Sequence, residues 1–596
     1  MALGYQIVHW FFRFVLNIFF RDITIIGKEN IPKEGAVIFC GNHNNQFIDG
    51  MMIFAYCQRE SSLLVAEKSM HRRVIGDFAK LMNSIPVARP QDKVFNGKGT
   101  LKSSGDTLVT GTDTEFTKTL KPGDVLKLGA IGDYVVKEIV SDTELHFKEV
   151  PAGVFDNQKY KVLPKIDQAE IYSKVWERLN QGGCIGIFPE GGSHDRSDLL
   201  PLKAGVTLMA LGAMQKFKVP VYVVACGLNY YNASKFRSQV VIEFGEPYEI
   251  PQNLVELYGT DRRSACSTML TEIEHRLRDV TLTAPSYHVL QSILYARRLY
   301  TPRDKSLTKE EETLIHRRLS RAFSVMKNNQ TLQSLLNEIR LYIRELHELG
   351  LKDSQVTRTS TKYQNKLIWN MMYAFVMMFI SILFALPSGI IGLPILLALK
   401  YLAEQERKKA LANSSVKVRG MDVMASHKVK LSLVIVPLYL LAFSFIWFLA
   451  AIFVLCDSWF QVFWTTIVFT VLWFLYCVGC VKLYDGFVRH FLAFKACLMA
   501  LIRPRKLRNL KQNRDKIQDD LRGFIAEHGP KVIPDFNTKR IITEAELERD
   551  AFTRSKTYME TTETEEEEDF DESSDMRMND PQLIDQYLEN SENYYQ

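Results

Sequence analysis

A chain of 596 residues, 47% of them hydrophobic, is too long for one ordinary core and implies about two to four domains. Its formal net charge of +6 is uneven: fourteen Asp/Glu and one Arg from Glu560 onward give −13 and leave +19 elsewhere, a balance suited to anionic surfaces or substrates. Long apolar segments favour lipid over nucleic acid, and nine scattered cysteines without ligand spacing exclude a disulfide framework and a zinc site.

Residues 1–21 contain an apolar, aromatic run, Tyr5 to Phe20, interrupted by Arg13 and followed by no cleavage site. It predicts an interfacial membrane helix, with a core helix of the first domain as the alternative. Residues 22–90 and 164–261 alternate short β-branched runs with helical stretches. Val37–Cys40, Ser84–Val87, Ile185–Phe188 and Val219–Cys226 read as buried strands, and Asp49–Cys57, Gln168–Leu179 and Lys203–Lys216 as helices. The two parts together predict one α/β domain, a mixed sheet flanked by helices. Between them, 91–163 is rich in Gly, Thr and Asp, with turns at Pro122-Gly123-Asp124 and Ser141-Asp142-Thr143, and predicts a small all-β insertion.

Residues 262–362 are charged and helix-prone. A membrane domain is expected over 363–500. Its first apolar block, 367–399, is broken by Pro387-Ser388-Gly389 and Gly392-Leu393-Pro394 and reads as a helical hairpin; 431–456 and 460–483 are each long enough to span. Cys477 and Cys480 fall inside an apolar run and read as a buried pair. Positive clusters at Lys362/Lys366, at Arg407-Lys408-Lys409 with Lys417, Arg419, Lys428 and Lys430, and at Arg503–Arg514 would share the cytosolic side if the first block turns back. A basic, helical cytosolic segment follows over 501–552, then an acidic tail over 553–596 whose composition predicts disorder. Thr561, Thr562, Thr564, Ser573 and Ser574 in that tail are candidate phosphorylation sites.

Two motifs carry chemistry. Gly41-Asn42-His43-Asn44-Asn45-Gln46-Phe47-Ile48-Asp49 places an imidazole and a carboxylate in one polar turn. A histidine can take a proton from an alcohol and return one to a leaving thiolate, and does so better when a carboxylate holds its other nitrogen. Residues six apart on one helix point about 240° apart, so His43 belongs in the loop before the helix that carries Asp49. The second motif, Phe188-Pro189-Glu190-Gly191-Gly192-Ser193-His194-Asp195-Arg196, puts a carboxylate and two glycines at the end of a buried strand. Arg196, Lys203 and, after Ile85-Pro86-Val87, Arg89 are cations suited to a phosphate. Ser193 and His194 raise a serine hydrolase as an alternative, but no G-x-S-x-G elbow is present.

These residues resemble the glycerolipid acyltransferase superfamily, and within it the fungal-type glycerol-3-phosphate/dihydroxyacetone-phosphate acyltransferases. Four blocks match in order: Asn42-His43 to Asp49; the stretch ending Ile85-Pro86-Val87-Ala88-Arg89-Pro90; Phe188-Pro189-Glu190-Gly191 with its extension Gly192 to Arg196; and Val219-Pro220-Val221-Tyr222-Val223-Val224. Here His43 and Asp49 are separated by five residues, where the superfamily usually has four. The resemblance implies an α/β acyltransferase domain with C-terminal transmembrane helices. It also implies acyl-CoA-dependent acylation of the 1-hydroxyl of glycerol 3-phosphate, or of dihydroxyacetone phosphate, to give the first intermediate of glycerolipid synthesis. His43 is then the base and Asp49 its orienting acid. Glu190, Gly191 and Gly192 seat the acceptor, and Arg89, Arg196 and Lys203 neutralise its phosphate. Acyl-CoA is a co-substrate, and no metal or cofactor is expected. Partners are membrane lipids and not nucleic acid, with a homo-oligomer left open. The expected location is the endoplasmic reticulum membrane, multi-pass, with the catalytic domain and C-terminus cytosolic. A lysophosphatidate acyltransferase and a non-catalytic lipid-binding scaffold are the competing readings.

Overall fold

A computed structural model describes residues 3–562 except 72–74, 167–168, 304, 359–363, 413, 415, 456–457, 534–535 and 537–539. The acidic tail beyond 562, with Thr564, Ser573 and Ser574, lies outside the described residues. The chain divides into two units, Met1–Tyr300 with Leu307–Thr538, and Thr301–Ser306 with Lys539–Gln596. The second unit contains the helix Glu544–Thr562, so residues 553–562 are helical where composition predicts disorder. Everything below concerns the first unit.

Helix α1 (Leu3–Phe19) leads into strands β1 (Phe20–Ile26) and β2 (Ala36–Gly41), helix α2 (Gln46–Tyr56), and strands β3 (Ser61–Ala66) and β4 (Ile85–Val87). After the insertion come α3 (Ala169–Asn180), β5 (Cys184–Ile187), α4 (Gly205–Phe217), β6 (Val221–Tyr230), β7 (Ser238–Phe244) and α5 (Arg262–Val280). The strands form one mixed sheet in the order β1-β7-β6-β2-β5-β3-β4, with Tyr248–Glu249 beside β6. β2, β3, β5 and β6 run parallel at its centre, and β7 is antiparallel to β6.

Both faces of this sheet are covered, and strand alternation sorts residues between two cores. On β2, Val37 and Phe39 pack with α1 and α2, while Ala36, Ile38 and Cys40 pack with α3, α4 and α5. α1 is therefore a core helix and not only an interfacial one. Tyr5, Val8, Phe12, Leu16 and Phe19 are buried at helical spacing, and Leu3, Ile7, Trp10 and Phe14 form an exposed apolar stripe on another face. The core-helix alternative describes the buried face of the run.

The insertion is a separate eight-stranded sheet, from Phe95–Asn96 to Lys161–Leu163. It has its own core of Leu101, Val109, Phe116, Val136, Leu145 and Phe147. Beyond α5, helices α6 (Tyr287–Tyr300), α7 (Lys309–Met326) and α8 (Gln330–Leu349) occupy the charged region. α9 (Gln364–Ala412), α10 (Met421–Ala450) and α11 (Trp459–Ile502) follow, then α12 (Pro504–Val532). Among the described residues, three segments, Leu367–Ile390, Met421–Phe453 and Trp459–Ile502, are long and apolar enough to cross a membrane.

In the block 367–399 the expected turn carries no loop. Helical hydrogen bonding runs through it, and Pro387 and Pro394 lie inside α9, where each removes a ladder bond and marks a kink. Its first half packs on α11, with the Tyr373 and His490 rings 5.9 Å apart and Tyr476 Oη donating to Phe384 O at 2.7 Å. Its last turns reach the start of α10, where Arg407 Nη1 donates to Arg419 O at 2.8 Å. α10 runs antiparallel to α11, Trp447 stacking on Phe469 at 4.3 Å.

Candidate active site

β2 and β5 are paired in parallel, Ile187 opposite Cys40, so the loops leaving their carboxyl ends stand side by side. One loop carries His43 and the other Glu190. In parallel sheets this is where ligands bind.

Asp49 lies in the first turn of α2, as its N-terminal dipole favours, and is fully buried. His43 Nδ1 is 2.9 Å from Asp49 Oδ2. Asp49 also accepts the Asn45 N–H at 2.6 Å on Oδ2 and the Tyr230 hydroxyl at 2.6 Å on Oδ1. A carboxylate only accepts, so Nδ1 carries the proton and Nε2 presents a lone pair. The imidazole stacks on Phe188, ring centres 4.3 Å apart and planes within 13°, and remains 18% exposed. Burial, and then the Asp49 charge, push the Tyr230 hydroxyl far above its usual value, so it stays a donor.

The extra residue between His43 and Asp49 has a visible solution. Gln46, at the start of α2, takes a left-handed conformation with φ of 41°, and the surplus link is absorbed there. The His–Asp contact survives the longer spacing.

Glu190 is brought to the site but faces inward. Oε1 accepts the His43 backbone N–H at 2.7 Å; Oε2 accepts the Leu200 N–H at 2.8 Å and pairs with His194 Nε2. His194 N–H in turn donates to His43 O at 3.0 Å. Glu190 therefore ties the two loops together, its side chain buried and both oxygens hydrogen-bonded. Arg196 N–H donates to His194 Nδ1 at 3.1 Å, so His194 is the neutral Nε2–H tautomer. Ser193 Oγ donates to Asp422 Oδ2 at 2.6 Å, away from His194, which removes the serine-hydrolase alternative.

The remaining candidates separate. Gly191 has φ of +74°, and a Cβ there would stand 2.4 Å from Lys203 Nζ, so Lys203 lies against the turn. Gly192 faces open space. Arg196 Nε donates to Val416 O at 2.7 Å, and Arg196 is the cation in the wall of a pocket shared with Asn42, Asn44, Tyr230 and Thr281. Arg89 follows β4 at the sheet edge, two strands from β5 and so roughly 10 Å away, and is bound to Asp92 at 2.8 Å.

The Acyltransferase family matches residues 22–114 and 163–227, which includes both catalytic loops and passes over most of the insertion. The family described as Glycerol-3-phosphate acyltransferase 2 C-terminal domain matches residues 292–533. Glycerol-3-phosphate O-acyltransferase 1 of Saccharomyces cerevisiae is 31% identical over 91% of this chain and 74% of its own length. The chain belongs to the glycerol-3-phosphate O-acyltransferase family. Glycerol-3-phosphate O-acyltransferase 2 of the same yeast is 30% identical over 92% of this chain and 79% of its own. An uncharacterized acyltransferase of Schizosaccharomyces pombe is 33% identical over 91% and 83%. Among solved structures, the crystal structure of the 1-acyl-sn-glycerophosphate acyltransferase PlsC from Thermotoga maritima matches with a TM-score of 0.26 and 14% identity, over 46% of this chain and 77% of that one.

Within this family member, sequence reasoning missed three groups around the base. Tyr230 is at the end of β6, where only the fold reveals that it faces Asp49. His194 was visible as the residue four positions after Glu190, but no spacing rule pairs them across a turn. The third group comes from the membrane region. Asp195 accepts N–H groups from Val418, Arg419 and Met421 at 2.7–3.1 Å, and Lys417 pairs with Asp422 beside Ser193. Burial alone would push the Asp195 carboxyl up, but those backbone donors outweigh it and hold it below the usual carboxylate range.

Proposed function

We propose that the protein transfers a fatty acyl chain from acyl-CoA to the 1-hydroxyl of glycerol 3-phosphate. His43 Nε2 removes the hydroxyl proton as the oxygen attacks the thioester carbonyl. The tetrahedral intermediate collapses, the carbon–sulfur bond breaks, and the imidazolium returns the proton to the departing thiolate. Asp49, held by Asn45 N–H and Tyr230, fixes the tautomer and stabilises the imidazolium between these steps. The route needs no acyl-enzyme, metal or cofactor. The observation that carries it is the buried Asp49 holding Nδ1 of a partly exposed His43 at 2.9 Å.

Lys203 and Arg196 are the cations proposed to meet the acceptor's phosphate, a reading supported by Lys203 lying against Gly191 and Arg196 lining the adjoining pocket. Arg89 would need a different approach of the substrate. The cationic run Arg407-Lys408-Lys409, with Lys417, Arg419 and Lys428, lies around the junction of α9, α10 and the α/β domain. By the positive-inside rule this supports a cytosolic site on a multi-pass protein, facing the compartment that supplies acyl-CoA, and the endoplasmic reticulum is the membrane proposed.

The test is transfer from labelled acyl-CoA by purified full-length protein to glycerol 3-phosphate, dihydroxyacetone phosphate and lysophosphatidate in parallel. Glycerol 3-phosphate is expected to be preferred, and His43→Ala to abolish transfer while acyl-CoA binding persists. Preference for lysophosphatidate, or turnover in His43→Ala, overturns the proposal.

A further inference from the structure

Helix α10 begins inside the catalytic domain. Asp422, Val423, Ala425, Ser426 and Val429 are buried, and Ala425 and Val429 belong to the same core as Phe39, Ile48 and Phe54. Ser426 sits in the His43–Asp49 turn itself. Its hydroxyl donates to Asn45 O at 2.6 Å and accepts the Ile48 N–H at 3.2 Å. Asn45 is the N-cap of α2, and its side chain makes no capping bond. Ser426 supplies from 378 residues away a hydrogen bond that a local cap normally gives.

The exchange is reciprocal. Gly420, the N-cap of α10, has no side chain to cap with, and Asp195 from the Glu190 loop accepts the N–H groups of Val418, Arg419 and Met421 in its place. Each helix start is completed by the other's partner loop. Ser193, Lys417 and Asp422 close a second buried link, and Arg196 Nε to Val416 O a third.

We propose that Ser426 is a positioning residue for the acyl transfer, and that docking of the membrane helix α10 sets the geometry of the His43–Asp49 pair. Ser426 acts through the backbone: it holds the Asn45 carbonyl, on the residue whose own N–H bonds Asp49 Oδ2. The inference rests on the acyltransferase reading for its assay. It is kept separate by comparing variant with wild type on whichever of the three acceptors wild type uses.

Ser426→Ala in the full-length protein is expected to lower kcat about 10- to 100-fold, the scale of a small misplacement of reacting groups. KM for the acceptor should stay within about twofold, and the thermal midpoint of the folded protein should hold. The acid limb of the pH–kcat profile is expected to move, since the Asp49 contact of the imidazole is loosened. Ser426→Thr, which keeps the hydroxyl, should recover most of the rate. Asp195→Ala, which frees the start of α10 without touching the His43 turn, should lower kcat in the same direction. Wild-type kcat in Ser426→Ala overturns the inference. So does a rate loss accounted for entirely by loss of folded protein, with an unshifted pH profile. Failure of wild type to acylate glycerol 3-phosphate counts against the proposed function and not against this coupling.

Discussion

At the scale of single residues, the catalytic pair is held by three donors on one carboxylate. Tyr230→Phe deletes one of them. A hydrogen bond to a charged group contributes about 1.5–3 kcal/mol, so kcat is expected to fall about tenfold or more while acyl-CoA affinity is kept; an unchanged kcat would show that Tyr230 only fills space. Gln46 tests the extra residue of the motif. A β-branched side chain is poorly tolerated at its φ of 41°, so Gln46→Val should lose about 1–2 kcal/mol of stability and Gln46→Gly should not. Equal melting temperatures for the two variants would remove the account of how the longer spacing is absorbed. His43, Asp49 and the glycine turn were legible because their chemistry is local in sequence. Glu190 was legible as a member of the site, but its link to His43 and His194 was not, because a carboxylate's partners are set by loops that meet only in the fold.

At the scale of elements, β-branched runs bounded by turns located β2, β4, β5 and β6, and the Gly- and Asp-rich stretch located the insertion. What composition could not supply is which face of an apolar helix is covered. α1 reads as interfacial because its aromatic residues occur on every side, and only packing against α2 divides them. Pro387 and Pro394 in α9 read as the turn of a hairpin, and helical hydrogen bonding continues through them. Glu243 on β7 gives this scale a pH test. Burial raises its carboxyl to about 7 despite Arg317 at 2.6 Å, and its Oε2 is buried without a partner. The folded state binds that proton more tightly than the unfolded chain. Its contribution is therefore complete below about 4.5 and declines as pH rises towards about 7, by up to about 3 kcal/mol. Glu243→Gln should flatten that part of the stability profile, measured as thermal midpoint against pH; parallel profiles would contradict it.

At the scale of the whole molecule, the core under the His43 turn is assembled from distant parts of the chain, α1 and the start of α10 among them. Two families match separate stretches, 22–227 with a gap and 292–533, yet the buried start of α10 belongs to the first by packing and to the second by sequence. A chain ending at residue 412 would leave the surface under Ala425 and Val429 bare and the α2 start uncapped. It is expected to aggregate or to lack transfer activity even in detergent, measured by gel filtration and the labelled-acyl assay. A monodisperse, active truncation would show that the α/β domain is self-sufficient.

That arrangement has a consequence for how the protein is made. The ribosome completes Asp49 long before Ser426, and at about 5–20 residues per second the interval of 378 residues from Ile48 to Ser426 takes roughly 20–75 s. Throughout it the nascent domain holds His43 without the clasp that aligns it. α9, the first apolar helix long enough to enter the bilayer, emerges before that clasp does. Newly made protein would thus gain activity only once it has begun to insert, and a chain that misses its membrane would remain idle among the soluble acyl donors.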